Sequence, residues 1–442
     1  MYILSADFGT SSLKLCIVDE KLRVVCSGKQ EYKYQVKDGA KVEIDPEVVF
    51  KSFLQGVKCF EDYLPDVEAL AICNLCPSLI PMDDQGKPLY PAIIHLDRRS
   101  EAQAKYALDI IGKRRFMQIN GNLPFPGGIS LTSMLWLKEK LPEVFNSAWK
   151  MGHLNTYLHR AFTGKFAIDP TNASYTGLYR TLDRGGWSDE LCGELGIPTS
   201  KLPDITASAQ VVGELGWKPA SMTGLRQGIP VVMGANDTSS AALGAGVTHD
   251  GAILNISGSN EIITISTSRP LPHPKVYLRA HAVEGRWLVL AITIGGGALE
   301  WFRREFYRDM ENSYFYQQYL PEFIEKDFRV PGVRFYPHLA GDRHSIAQKK
   351  AKFTGITLEN SREDFLSALL VGIFEPIRMV MDIYEKRVDL TNEIVLTGGM
   401  VSRSYLDFKK KMFKNYTFKR TQNCNALGNA RLARLALNME ID

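Results

Sequence analysis

The sequence predicts an α/β protein of two domains built on one plan. Three observations carry this. The chain has 442 residues, more than one hydrophobic core usually organises, since domains typically hold about 100–200 residues. Apolar strands separated by polar turns open the chain and then alternate with helical stretches, the order expected of an α/β sheet. Near residues 225–230 the pattern resets, and a second hairpin is again followed by strand–helix units, without a letter-by-letter repeat. The expected domains are therefore residues 1–228 and 229–442.

In chain order, strands are expected over 2–6, 14–19 and 24–29, and the polar stretch 31–43 reads as an irregular strand or loop. Asp45, Pro46 and Glu47 start a helix, because a capping acid and a first-turn proline both favour an N-terminus. Val48, Val49, Phe53, Val57 and Phe60 follow at near-helical spacing. Residues 69–73, 78–82 and 91–96 read as short strands, the second closed by a turn at 83–86, and Ser100 begins a helix. From 101 to 228 the chain is expected to be mainly helical, with helices at 132–140 and 149–163 and loops at Phe166, Pro170-Thr171-Asn172 and Gly185-Gly186. In the second half a buried strand over 228–234 runs into a small-residue helix at 239–245. Strands at 252–256, 261–266, 287–292 and 393–396 and helices at 298–308, 361–386, 402–413 and 427–437 complete the plan.

Composition narrows the function classes. Hydrophobic residues make up 45% of the chain and charged residues 23%, ordinary values for a soluble globular protein. A net charge of +4 is too weak to argue for nucleic acid or an anionic membrane as partner. The densest basic run, 408–420, reads as a solvated helix face followed by a strand. No signal segment and no apolar run of about 18 residues stands out, so a cytoplasmic protein is expected. Seven scattered cysteines fit reduced thiols. Cys73 and Cys76 form a C-x-x-C without the second pair or histidines that zinc wants; they read as half-buried thiols at a strand end, with a redox pair as the alternative.

Several constellations carry chemistry. The stretch from Asp7 to Lys14 is a hairpin whose tip holds a carboxylate, Gly9, the hydroxyls of Thr10, Ser11 and Ser12, and a cation. Hydroxyls, backbone N–H groups and a lysine together can wrap phosphate oxygens, and Asp7 can hold a hydrated magnesium; the plain alternative is an ordinary polar turn. Ser257, Gly258 and Ser259 form a second such tip, one in each half. Asp237 lies at a strand-to-helix junction, where active groups of α/β sheets gather, and reads both as a helix cap and as a general base. Two strand–glycine–helix turns, Gly295–Gly297 and Gly398-Gly399, leave backbone bare for a flat ring or serve tight packing.

Taken together, Asp7-Phe-Gly-Thr-Ser-Ser-x-Lys14, Gly234-Ala-Asn-Asp237, Ser257-Gly-Ser259, Gly295-Gly-Gly297 and Leu396-Thr-Gly-Gly399 resemble, in order and spacing, the FGGY carbohydrate kinases, closest to the xylulokinase and gluconokinase branches. The resemblance covers nearly the whole chain. It implies two ribonuclease-H-like domains of the actin-like ATPase fold with an ATP and sugar cleft between them, ATP and Mg2+ as cofactors, a small sugar or polyol as substrate, and a homodimer by family habit. It implies that Asp7 and Asp237 attend the metal, and that Thr10, Ser11, Ser12, Lys14, Ser257, Gly258 and Ser259 grip phosphates. Gly296, Gly297, Gly398, Gly399 and Ser402 are implied at the adenosine, and Asp237 as the base that deprotonates the sugar hydroxyl. Asp97, Arg98, Asn74, Pro77 and Asn236 are the implied substrate contacts.

Two departures touch the substrate. Where relatives carry Gln-Met-His or Gln-Arg-Glu, this chain has Leu75-Cys76-Pro77, and the next motif, usually Trp-Asn-Asp or Trp-Gln-Asp, reads His95-Leu96-Asp97. A pocket that loses hydrogen-bonding groups rejects the usual sugar, whose hydroxyls are left unpaired. A ketopentose such as xylulose remains the expected acceptor by overall resemblance, with gluconate, glycerol or ribulose-like compounds as alternatives. Asp97-Arg98-Arg99 reads equally as a surface ion pair and helix cap. The rival class is a non-metabolic actin-like ATPase or a sugar-sensing binder, against which the retained Asp7, Asp97 and Asp237 argue.

Overall fold

The computed structural model describes residues 2–330, 332–400 and 403–439. They form two compact units. One holds the chain through Thr248 together with 268–288 and the C-terminal segment from Asn423; the other holds 249–267 and 289–422.

The central sheet of the first unit has the strand order Val211–Glu214, Pro230–Asn236, Val67–Asn74, Tyr2–Phe8, Ser12–Asp19, Val24–Glu31. The last three are an antiparallel meander, whereas Tyr2–Phe8, Val67–Asn74 and Pro230–Asn236 run parallel. Parallel strands buried on both faces read as continuous apolar runs, and six of the seven residues of Tyr2–Phe8 are buried. The helix Pro46–Val57 covers one face with Val49, Phe53 and Val57, against Leu4, Phe8, Leu13 and Leu15. Asp45 caps it by accepting from the Glu47 N–H at 2.9 Å, as the acid–proline start requires. The helix Cys424–Ala436 belongs to this unit and packs Ala426, Ala430 and Ala433 with Ile3, Ala69 and Ala71 on the other face. A second, antiparallel sheet is ordered Gln35–Lys37, Lys41–Ile44, Ala92–Ile94, Ser78–Met82, Lys150–Gly152.

The sheet of the second unit repeats the plan: Trp287–Ile294, Asn260–Thr267, Ile253–Ser257, Glu393–Thr397, Thr417–Arg420. Its hairpin is antiparallel and its last three strands are parallel. The helix Arg362–Tyr384 starts on a capping box of Ser361 and Asp364.

Four local expectations change. The polar stretch 31–43 contains two short paired strands. The helix expected over 149–163 divides into the strand Lys150–Gly152 and the helix Leu154–Thr163, because His153 is extended, with φ of −97° and ψ of −178°. Pro170-Thr171-Asn172 is not a loop but one helical turn capped by Asp169, whose carboxylate accepts from the Thr171 and Asn172 N–H groups. The basic run is not wholly solvated: in the helix Arg403–Met412 Lys409 is fully buried. Ser402, expected to begin that helix, lies outside the described residues. No helix among the described residues is long and apolar enough to cross a membrane.

Candidate active site

Register brings the first set of groups together. Asp7 and Ala235 both pair with Cys73, so the three parallel strands of the first unit end side by side; carboxyl ends of such strands are where α/β sheets bind ligands. Asp7 is buried and accepts from the Cys73 thiol at 3.4 Å and from Asn425 Nδ2 at 2.8 Å. Burial raises its pKa above the ordinary 3.8, opposed by the charge of Lys14, its cross-strand partner, and by these hydrogen bonds. The tip beyond it is held by its backbone: the Gly9 N–H donates to the Ser12 carbonyl at 3.0 Å, and Tyr32 donates its hydroxyl to the Gly9 carbonyl at 2.6 Å. Thr10 and Ser12 are half-buried, and Ser11 and Lys14 are exposed.

Asp237 opens the helix Asp237–Gly244, but it is not the cap. Asn236 is, accepting from the Ser239 N–H at 2.9 Å. Asp237 Oδ1 accepts from the neighbouring Thr238 N–H at 2.7 Å, and the side chain stays half-buried. Its charge adds to the burial that pushes the thiols of Cys73 and Cys76 up, so both thiols lie within reach of its field. The structure thus gathers Asp7, Cys73, Cys76 and Asp237. The two cysteines do not pair with each other, since Cys76 meets His153 Nδ1 at 3.4 Å. His153 contacts the Ser130 hydroxyl through Nε2 at 2.9 Å, and burial lowers its pKa to about 3, so it is neutral.

A buried polar network lies behind these groups. Asp169 accepts from the Thr171 N–H and hydroxyl, Asn172 Nδ2 and Asn155 Nδ2. The Thr171 hydroxyl accepts from the Asn236 N–H at 2.8 Å, and Asn172 exchanges amide hydrogen bonds with Asn74 at 3.1 and 3.2 Å. One carboxylate therefore braces both the strand end before Asp237 and the turn that begins at Asn74.

Four of the expected substrate residues sit differently from a free contact. Asn74 is fully buried with its amide spent on Asn172 and the Leu75 carbonyl. Asp97 is also buried; its carboxylate accepts from the Val42 N–H at 2.6 Å and from Arg99, which in turn pairs with Glu43 at 2.8 Å. An ion pair does form within Asp97-Arg98-Arg99, between Asp97 and Arg99, but it is buried rather than at the surface. Arg98 donates to the Pro126 carbonyl, and Pro77 is buried in its turn.

The second unit builds the other hairpin. Ser257 is fully buried, and its hydroxyl faces inward to Glu261 and Lys409 rather than out of the tip. Glu261 and Lys409 are 0% exposed and 3.1 Å apart, with Tyr405 donating to the same carboxylate at 3.0 Å and Asn255 at 2.9 Å. Ser259 is exposed at the tip. The N–H groups of Gly296 and Gly297, which open the helix Gly296–Phe306, donate to the carbonyls of Gly258 and Ser259 at 2.9 and 3.1 Å. A Cβ on Gly296 would lie 2.9 Å from the Gly258 oxygen, and one on Gly398, at φ +112°, 2.1 Å from the Ser257 oxygen. These glycines let three backbones meet, which is the packing reading; Gly399 is exposed with open space around it.

Sequence reasoning did not single out Asn425, Asn429, Asp169, Glu261 or Lys409. The first two had a signal, polar amides four apart on one face of an alanine-rich helix: Asn429 reaches Ser5 and Ser240 at 2.9 and 2.8 Å while Asn425 reaches Asp7. Asp169 before Pro170 was a helix start of the Asp45-Pro46 type.

The fold is that of solved sugar kinases of the actin-like ATPase class: a xylulose kinase and a gluconate kinase, both from Lactobacillus acidophilus, superpose with TM-scores of 0.89 and 0.90 at 22% identity, covering 100% of this chain and 90% of theirs. The model of the N-terminal domain of the FGGY family of carbohydrate kinases matches residues 2–244 and that of the C-terminal domain 254–437, and the chain belongs to this family. Xylulose kinases of Staphylococcus xylosus and Lactococcus lactis are 26% and 27% identical to it, over 95% of this chain and 88% and 84% of theirs. The protein is a carbohydrate kinase, with ATP the phosphate donor its family implies.

Proposed function

We propose that the protein transfers the γ-phosphate of ATP to a hydroxyl of a small sugar, with Asp237 as the general base. The observation that carries this is the placement of Asp237 and Asp7 at the ends of two parallel strands that flank Val67–Asn74, one acid buried and hydrogen-bonded, the other half-exposed. A base must be able to reach the proton it takes, and Asp237 is only partly buried.

The donor set fits Mg2+, which binds through one or two carboxylates and keeps several waters. Asp7 and Asp237 supply hard oxygen, and among the described residues no cluster of three or more His, Cys, Asp or Glu forms a closed metal cage. When bound, the ion neutralises phosphate charge. Thr10, Ser11, Ser12 and Lys14 on one hairpin, and the backbone of Gly258 with Ser259 on the other, are the phosphate contacts in this reading. Ser257 acts behind its tip. Gly399 is the glycine with open space beside it for the adenosine and Gly297 is the half-buried one in this reading, while Gly296 and Gly398 serve by letting their turns close.

Cys76, Pro77, Arg98 and Asn236 flank the sugar side. Asn74 and Asp97 shape it from beneath. The named relatives make D-xylulose the first acceptor to test, and the apolar Leu75–Pro77 turn widens the panel to polyols and sugar acids. The test is ADP release by the full chain over that panel. Asp237→Asn should lower kcat about 10²–10⁴-fold, the usual worth of a general base, with KM little changed. No acceptor-stimulated ADP release at all would overturn the kinase reading; undiminished turnover in Asp237→Asn would overturn the base alone.

A further inference from the structure

Arg279 is a buried charge with no ion-pair partner among the described residues. It lies on the strand Tyr277–Ala280 and is 1% exposed. Nη1 donates to the Ser174 carbonyl at 3.0 Å and Nη2 to the Gly128 carbonyl at 2.8 Å. The guanidinium stacks 3.9 Å over the Tyr175 ring and 4.6 Å from that of Tyr277. Nε has no acceptor, and no carboxylate of the described residues forms an ion pair with the group. An arginine cannot shed its proton to relieve this. Two carbonyls and two ring faces offset part of the desolvation, but a buried cation calls for an anion.

Its position says where the anion comes from. Gly128, which Arg279 holds, is two residues from Ser130, whose hydroxyl meets His153, whose other nitrogen meets the Cys76 thiol. Ser174, the other anchor, follows the turn whose Asn172 grips Asn74. Both anchors of Arg279 thus connect, through these side chains, to the Asn74–Pro77 turn, where the neutral hydrogen-bonding side chains expected for a sugar are absent. Beyond the burial that raises it, the Cys76 thiol feels the charges of Asp237 and Arg279 in opposite senses. Neutral His153 cannot serve as a second cation there.

We propose that Arg279 is a specificity-determining residue that selects a carboxylate-bearing acceptor, a sugar acid, holding its charged end while a hydroxyl of the same molecule faces Asp237. The proposal rests on the kinase reading above and deepens it. A guanidinium with N–H groups to spare suits a planar carboxylate. If Arg279 were only a brace for the 128 and 174 backbones, its loss would weaken every acceptor alike.

The test uses the full chain with ATP and Mg2+, measuring kcat/KM for D-gluconate and D-xylonate against D-xylulose, D-ribulose and xylitol. The wild type should favour at least one of the acids by about 10-fold or more, and Arg279→Gln should reduce the acid-to-neutral ratio about 100-fold, mainly through KM, the scale of a lost charge-assisted hydrogen bond. Arg279→Lys should restore part of that ratio. A wild type that prefers a neutral sugar to both acids overturns the proposal, as does a ratio unchanged in Arg279→Gln. Should the variant fail to fold, the wild-type Tm decides: a rise with either acid exceeding that with xylitol supports the proposal, and no such rise overturns it. Acids that raise Tm while no acceptor stimulates ADP release would sink the kinase reading and leave the charge recognition standing.

Discussion

Gly234 stands three residues before Asp237 with φ of +71°, and a Cβ there would fall 1.8 Å from the Ile72 carbonyl oxygen. The register between Val67–Asn74 and Pro230–Asn236 shifts between Val232 and Ala235, and Gly234 sits inside that irregularity. Only a residue without a side chain lets the strand step aside here and still deliver Asn236 and Asp237 to the sheet end. Gly234→Ala combines a left-handed backbone with a clash against backbone that cannot yield. It should cost about 2–4 kcal/mol in a urea unfolding measurement and lower kcat at temperatures where the variant is still folded. A change within about 0.5 kcal/mol would show that the strand relaxes around a methyl group.

At the level of elements, the second hairpin is held from below by a charge pair. Glu261 on the strand Asn260–Thr267 and Lys409 on the helix Arg403–Met412 are both fully buried. Burial lowers the Lys409 pKa, with the Glu261 charge opposing that shift. Such a pair contributes little net stability, but removing one member strands the other in a low dielectric. Lys409→Met should therefore destabilise by about 3–5 kcal/mol, whereas Lys409→Met with Glu261→Gln should recover a substantial part of it. The readout is a double-mutant cycle by chemical denaturation. Additive losses would mean that the two groups do not act as a unit. Because Lys409 also donates to Ser257 and Asn255, ATP KM should rise in the single variant even where it remains folded.

For the whole molecule, three buried histidines set the response to acid. His153, His159 and His281 have pKa values lowered to about 3, about 4 and about 4, in each case by burial first. His281 shows why the neutral form is fixed: Nδ1 accepts from the Val283 N–H at 2.9 Å while Nε2 meets the Val247 carbonyl at 2.9 Å. A second proton would set N–H against N–H. The unfolded chain protonates these rings near pH 6.5 and the folded chain does not, so their contribution is full above 6.5 and falls as pH drops towards about 4, by about 1.4 kcal/mol per pH unit for each ring. Asp7 and Asp169, whose pKa values burial raises, act in the opposite sense, since the folded state takes up their protons first. The comparison to make is urea unfolding of the wild type and His281→Gln at pH 7, 6 and 5. The variant should lose less stability between the first and last points, and parallel pH slopes would refute the assignment.

The sequence alone determined the α/β class, the repeated hairpin-plus-parallel-strand plan and the FGGY resemblance, because strand periodicity, the Asp45-Pro46 start, the Gly/Ser hairpin tips and the strand-end acids are local patterns. It also placed Asp7 and Asp237 at strand ends, since a carboxylate after a buried run needs no partner to be noticed. Tertiary structure decided what each polar group does with its hydrogen bonds. Asp97 and Asn74 read as sugar contacts but are saturated inside the fold, Ser257 points into the Glu261–Lys409 pair instead of out of the tip, and Lys409, one of a basic run, is its buried member. Arg279 was invisible in an ordinary strand until burial left it with no ion-pair partner among the described residues. Burial, and the cost of an unsatisfied group within it, depends on segments hundreds of residues apart, such as Asn425 against Asp7, and no local window of sequence contains that information.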